Sequence, residues 1–376
     1  MSNRLLKSSL VTVAWASSAS LSLAQSSTPA ESHWYDDITI NGFAEVSWSH
    51  DFNSPDSGTN ALRVFDLDDD EVDVDAAELV IQRPIGTPGE LGFRVDAVTG
   101  THVPKVSAAS GLFRDSDTGE AHDFDLQQVL GSWIAPVGSG LRLDVGKFVT
   151  PFGYEVIEGY DGYNDNQSRG FLFGYGMPFT HTGLRAGYTF SESVGASLLL
   201  VQGWDNWTDN NDAKSIGVQF ALTPAPDWTV YLNALGGPEQ ADDSHDNRYL
   251  YGATGTWRAS ETVTVGIDTL YGTEEGVLSG GKSASWSGGA GYCRYRFSDT
   301  FALALRGELF DDSDGARTGT AQTLESLTLT PEWKLGEHCV LRGDLRGDWS
   351  DEDVFEDHSS VTGSRTTVSL ALLVLF

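Results

Sequence analysis

Phe301-Ala-Leu-Ala-Leu-Arg-Gly-Glu-Leu-Phe310 and Leu341-Arg-Gly-Asp-Leu-Arg-Gly-Asp-Trp349 are the stretches whose reading decides the fold. In the first, Phe301, Leu303, Leu305 and Leu309 fall on one face of an extended chain, while Arg306 and Glu308 fall on the other. In the second, Leu341, Leu345 and Trp349 oppose Arg342, Asp344, Arg346 and Asp348. Ile216, Val218, Phe220 and Leu222 oppose Ser215 and Gln219 in the same way, and Leu141-Arg-Leu-Asp-Val145 and Val263-Thr-Val-Gly-Ile267 also alternate. Period two with one apolar face marks a β-strand. No segment after Trp34 reads as an amphipathic helix.

Working outward, the alternation predicts strands over 38–50, 72–84, 90–100, 124–137, 140–150, 179–190, 193–204 and 214–224. It continues through 228–236, 248–258, 262–273, 284–297, 300–311, 323–335, 339–350 and 365–376, which brings the expectation to about sixteen strands. The connections alternate between two classes. Short turns, such as Gly138-Ser139, Ser191-Glu192 and Ser298-Asp299, occupy one side. Long loops occupy the other, at 51–71, 101–123, 151–178, 205–213, 237–247, 274–283, 312–322 and 351–364. An even strand count with short turns on one side and long loops on the other is the pattern of a bacterial transmembrane β-barrel.

The start of the chain supports export. Arg4 and Lys7 precede the apolar and small-residue stretch Leu10 to Ala16, and Ser22-Leu23-Ala24 ends on a small residue before Gln25. This is the form of a signal peptide. Residues 1–24 are therefore expected to be removed, with cleavage after Ala24 preferred over Ala19. Residues 25–37 then form an N-terminal periplasmic segment and 38–376 the barrel. The N-terminus also holds the one apolar run that resembles a spanning helix, so a bundle of membrane helices is excluded. With 23 Lys+Arg against 54 Asp+Glu and a net charge of −31, there is no basic face for nucleic acid. Cys293 and Cys339 are expected to be free thiols. Both share parity with lipid-facing neighbours, and they lie on strands three apart in order. At about 4.8 Å per strand that separation exceeds the Cα limit of about 7 Å for a disulfide.

Alternation alone does not separate a membrane barrel from a soluble sandwich. The export signal, strands of about ten residues or more, and the asymmetry of the loops favour the barrel. Trp228, Tyr249, Tyr251, Trp257, Tyr188, Phe190, Tyr295 and Phe297 sit near strand ends, as interfacial girdles do. In the last strand Val368, Leu370, Leu372, Val374 and Phe376 share one face. The terminal Phe376 resembles the assembly signal read by the outer-membrane barrel assembly machinery.

One long region carries a family resemblance. Val145-Gly-Lys-Phe-Val-Thr-Pro-Phe-Gly-Tyr-Glu155 is followed by Ser168-Arg-Gly-Phe-Leu-Phe-Gly-Tyr-Gly-Met-Pro-Phe-Thr-His-Thr-Gly-Leu-Arg185 and Val201-Gln-Gly-Trp-Asp-Asn-Trp207. Leu62-Arg-Val-Phe-Asp66 and Ala77-Glu-Leu-Val-Ile-Gln-Arg-Pro84 come earlier. In this order the motifs resemble the OmpL-like outer-membrane β-barrel porin family, most strongly over 62–224. The resemblance implies a diffusion pore for small hydrophilic solutes in the Gram-negative outer membrane, surrounded by membrane lipid and outer-leaflet lipid, with no cofactor and no catalytic set. Barrels of this size commonly make trimers, so a homotrimer is one expectation that the sequence does not fix.

The longest loop, 151–178, is the candidate constriction. It holds Glu155, Glu158, Asp161, Asp165 and Arg169, and Pro151 and Gly153 turn the chain at its start. By the porin precedent such a loop folds into the lumen. Its carboxylates would then face wall arginines, for which Arg94, Arg142, Arg185, Arg294, Arg306, Arg342 and Arg346 are the candidates. The alternative leaves the loop outside and the arginines paired with Asp96, Asp144, Glu308, Asp344 and Asp348.

Asp66-Leu-Asp-Asp-Asp-Glu71 has carboxylates at calcium-loop spacing, but Glu71 stands where glycine is needed, so a solvated acidic loop is preferred and no metal is expected. The other acidic loops would enrich cations at the pore mouth, giving a mild cation preference. His181 with Ser215 is the one hydrolase-like pairing that can be assembled, and nothing marks it. Three readings therefore compete: a passive porin and no enzyme, a structural or adhesion barrel, and a membrane-embedded hydrolase.

Overall fold

The computed structural model describes residues 33–108 and 112–376. The expected signal peptide 1–24 lies outside the described residues, as does most of the 25–37 segment. Sixteen antiparallel strands close into one barrel. They are β1 (Thr39–Asp51), β2 (Val72–Arg83), β3 (Leu91–Thr99), β4 (Phe124–Ala135), β5 (Leu141–Val149), β6 (Thr180–Ser191), β7 (Val194–Val201) and β8 (Ser215–Leu222), followed by β9 (Trp228–Pro238), β10 (Asn247–Arg258), β11 (Val263–Leu278), β12 (Lys282–Arg296), β13 (Phe301–Asp312), β14 (Gln322–Lys334), β15 (Cys339–Ser350) and β18 (Ser364–Leu375). Each strand pairs with its sequence neighbours, and β1 closes on β18 with Phe43 opposite Leu375 and Asp51 opposite Thr367. A small hairpin, β16 (Phe355–Asp357) and β17 (Ser360–Thr362), stands in the last long loop.

The alternation places side chains as expected. Leu305, Leu309, Leu345, Trp349, Ile216 and Phe220 are exposed on the outer face, while Arg306, Glu308, Arg342, Arg346 and Asp348 are buried on the inner one. Closure removes every unpaired strand edge, which in hydrocarbon would cost several kcal/mol for each unsatisfied backbone group. Phe376 completes the seam. Its amide and carbonyl pair with Gly42 (3.0 and 2.8 Å), and its ring lies where a Cβ at residue 42 would approach to 2.2 Å. Cys293 on β12 and Cys339 on β15 are both free thiols.

Two expectations are corrected. The segment 274–283 is not a long loop, because β11 and β12 run on to Leu278 and Lys282 and leave only 279–281 between them. Gly280 and Gly281 take positive φ (82° and 73°) and permit that tight reversal. The chain also contains two short helices, α1 (Val103–Ser107) and α2 (Phe171–Gly176), each too short to show amphipathic periodicity. Both lie in long loops.

Candidate functional site: the loop inside the barrel

The chain between β5 and β6 enters the barrel. Gly153, at φ 85°, makes the turn in a conformation that disfavours other residues, and a Cβ there would meet Met177 Sδ at 2.4 Å. The loop then crosses the lumen and presents its carboxylates to arginines on the wall. Glu155 meets Arg306 of β13 at 2.6 Å, Asp161 meets Arg94 of β3 at 2.7 Å, and Asp165 meets Arg294 of β12 at 3.0 Å. Glu158 takes both terminal nitrogens of Arg342, from β15, and lies 3.0 Å from Arg169 of its own loop. Arg342 also donates to Glu45 of β1 at 2.7 Å and to the Asn164 carbonyl at 2.8 Å.

Two of the seven wall arginines do not reach the loop. Arg142 and Arg185, on neighbouring strands, share Asp144, at 2.9 and 2.8 Å. Here the wall pairs with itself. Arg346 takes an intermediate place. Its carboxylate partners, Asp348 at 2.6 Å and Glu308 at 3.7 Å, are on the wall, and it reaches the loop through the Arg169 carbonyl at 2.6 Å. The arginines thus form two groups. Arg306, Arg342 and Arg346 have fully buried side chains and Arg294 keeps 9% of its own accessible, whereas Arg94, Arg142 and Arg185 keep 16, 31 and 23%.

Sequence reasoning missed how the loop is held. Asp344 does not serve a wall arginine; it accepts the Ser168 amide and hydroxyl, both at 2.7 Å. Glu308 accepts the Leu172 amide at 3.2 Å and the Ser326 hydroxyl at 2.6 Å. The loop is also an apolar plug. Phe152, Phe171, Leu172, Phe173, Met177 and Phe179 are buried in one cluster with inward side chains of the wall, among them Leu199, Leu235, Leu270, Trp286 and Phe310. Each such burial contributes about 2 kcal/mol. The unbroken run Leu198-Leu-Leu200 and the loop triplet Phe171-Leu-Phe173 carry that signal, since neither fits a strand wet on its inner face or a solvated loop.

The remaining candidates fall away. His181 is buried, with its ring nitrogens 3.1 Å from Thr150 Oγ1 and 3.2 Å from the Gly203 carbonyl. Ser215 donates to Glu239 at 2.5 Å, so the His181–Ser215 pair is not assembled. Asp66 is taken by Arg63, which removes it from the calcium-like run. Outside the strands, burial raises Asp205 to about 6 and Glu239 to about 7, although Asp205 accepts the Phe179 and Thr180 amides and Glu239 the Trp204 amide.

The family model described as "Putative beta-barrel porin-2, OmpL-like" matches residues 37–376. No curated protein matches the sequence. Among solved structures, the anion-selective porin from Comamonas acidovorans superposes with a TM-score of 0.61 at 11% identity, over 90% of this chain and 99% of that one. The outer membrane channel DcaP of Acinetobacter baumannii gives 0.61 at 10% identity, over 90% and 97%. The trimer form of Vibrio cholerae OmpT gives 0.57 at 10% identity, over 90% and 99%. At such identities these structures share the barrel fold, and trimers occur among them. The exposed apolar outer face is accordingly the surface in contact with lipid. The chain belongs to the OmpL-like β-barrel porin family and is an outer-membrane channel protein of a Gram-negative bacterium.

Proposed function

We propose that the protein is a diffusion channel for small hydrophilic solutes and ions with a mild cation preference, in which the loop 151–178 forms the constriction. One observation carries this reading: Glu155, Glu158, Asp161 and Asp165 each engage a different wall arginine from inside the barrel. Such contacts fix the loop at pore depth, where charged and polar groups tune selectivity. The cation preference is supported by the acidic long loops, where Asp242, Asp243 and Asp246, and Asp351, Glu352, Asp353, Glu356 and Asp357, crowd the mouth and focus cations.

In the same reading residues 1–24 are the signal peptide, 25–37 a periplasmic segment, and Phe376 the mark recognised by the barrel assembly machinery. Short turns face the periplasm, the active form is a homotrimer, and the barrel performs no catalysis. Swelling of liposomes in isotonic sugars tests the channel. Proteoliposomes should swell at rates that fall with solute size, and impermeability of a folded barrel to every sugar would overturn the proposal.

A further inference from the structure

A cavity of about 290 Å³ lies between the tip of the constriction loop and the inner wall of β2–β5. An irregularity in β4 builds its polar side. Asp96 lies opposite Gln128 and Ala97 opposite Leu126, so the pairing with β3 slips and Gln127 is the extra residue. Such a bulge re-aims side chains. Gln127 and Gln128 both point inward, each 6% exposed, and both line the cavity.

The two glutamines are not equivalent. Gln128 is occupied, donating to Asp96 at 2.6 Å and accepting from the Val149 amide at 3.2 Å. The Gln127 side chain has no hydrogen-bond partner among the described residues, and it borders the cavity. Glu78 of β2 lines the same space. It accepts the Tyr160 amide at 2.7 Å but forms no ion pair among the described residues, because Arg94, the neighbouring cation, is held by Asp96 at 2.8 Å and Asp161 at 2.7 Å. Gly159 fixes the carboxylate from the loop side, passing so close that a Cβ there would lie 2.6 Å from Glu78 Oε2. Phe173 and Phe179 close the apolar side.

A buried carboxylate without a counter-ion and an unused amide therefore face one space beside aromatic rings. Carboxylates outnumber Arg94 there, so an anion is disfavoured. An ammonium group offers three donors for the carboxylate and the amide oxygen, and aromatic faces favour a cation with a short apolar body. We infer that this cavity is a binding subsite for a small primary alkylammonium ion, with Glu78 and Gln127 as its polar ligands. The site deepens the channel reading, which supplies its place on the permeation path, but binding can be measured without transport.

The test is calorimetric titration of the folded full-length barrel in detergent with n-butylammonium chloride, and with sodium butyrate as the anionic counterpart. Butylammonium should bind at least tenfold more tightly than butyrate. E78Q keeps an acceptor for the Tyr160 amide and should weaken binding at least tenfold, whereas Q127E adds a carboxylate and should strengthen it at least threefold. Equal affinity for the two ions, absence of binding to the folded wild type, or both variants remaining within twofold of it would overturn the site. Stepwise conductance in KCl without butylammonium binding would keep the channel and remove the site. Binding without conductance would keep the site and remove the channel.

Discussion

Replacing Arg342 by Met should release the constriction loop from a barrel that stays closed. The guanidinium holds Glu158 through both terminal nitrogens and Glu45 at 2.7 Å, and it also caps the Asn164 carbonyl at 2.8 Å. All three side chains are buried. Removing one partner from a buried ion pair typically costs about 3–5 kcal/mol; here Glu45 is left unpaired among the described residues, while Glu158 keeps Arg169 at 3.0 Å. The barrel ladder itself is untouched, since Arg342 contributes its backbone to the pairing with Glu332 and Ala371 whatever its side chain. The cost therefore falls on docking of residues 156–169, and about 3 kcal/mol corresponds to roughly a hundredfold change in the docking equilibrium. Hydrogen exchange of the Asn164 and Ser168 amides, hydrogen-bonded at 2.7 Å in the docked loop, should accelerate by about that factor. Single-channel conductance should rise as the loop leaves the lumen. Adding E45Q to the Arg342→Met variant should restore part of the protection, because it neutralises the charge left without a partner. Unchanged exchange and conductance in the single variant, or strictly additive effects in the pair, would refute the reasoning.

Neutralising Glu155, Glu158, Asp161 and Asp165 together to Gln or Asn should move the reversal potential toward anions, and more so at low salt, where charges are screened less; an unchanged value at low salt would separate the loop from selectivity. Asp161 keeps 55% of its side chain accessible, so D161N alone should produce a measurable part of that shift. Burial raises Asp205 to about 6 and Glu239 to about 7, so packing between the loops 202–214 and 239–246 is strongest below the ordinary carboxylate range and weakens as pH rises through 6–7. The protection factor at Trp204, whose amide donates to Glu239 at 2.6 Å, should rise on going from pH 8 to pH 5 after correction for the intrinsic rate, and a lower factor in acid would contradict the assignment. Mass measurement without reductant should show two free thiols, with no loss of two hydrogens. Protease added to intact cells should cut within 351–364 or 237–247, and cleavage confined to the short turns would reverse the orientation.

The strands were legible because a barrel wall wet on one side and in lipid on the other writes period two into every spanning segment, as in Phe301–Phe310. The loop carboxylates and their arginines were legible as charge types, while their pairing was not. Which arginine meets which acid depends on where the loop crosses the lumen, and that path is set by the Phe171-Leu-Phe173 cluster packing on β11–β13. Arg142 and Arg185 read as constriction residues in the sequence because parity assigns a face but not a neighbour, and Asp144 pairs with both of them. The extension of β11 and β12 was hidden by Gly276, Gly280 and Gly281, which read as loop in the sequence. The inward turn of Gln127 was hidden for a related reason, since a bulge breaks the period on which the reading rests.

The central claim is that this barrel is a water-filled channel narrowed by its own loop. Planar-bilayer recording of the purified, folded wild type in KCl tests it most directly. Discrete stepwise openings are predicted, with a larger unitary conductance in the Arg342→Met variant. A heat-modifiable, fully folded barrel that stays electrically silent in both forms would contradict it.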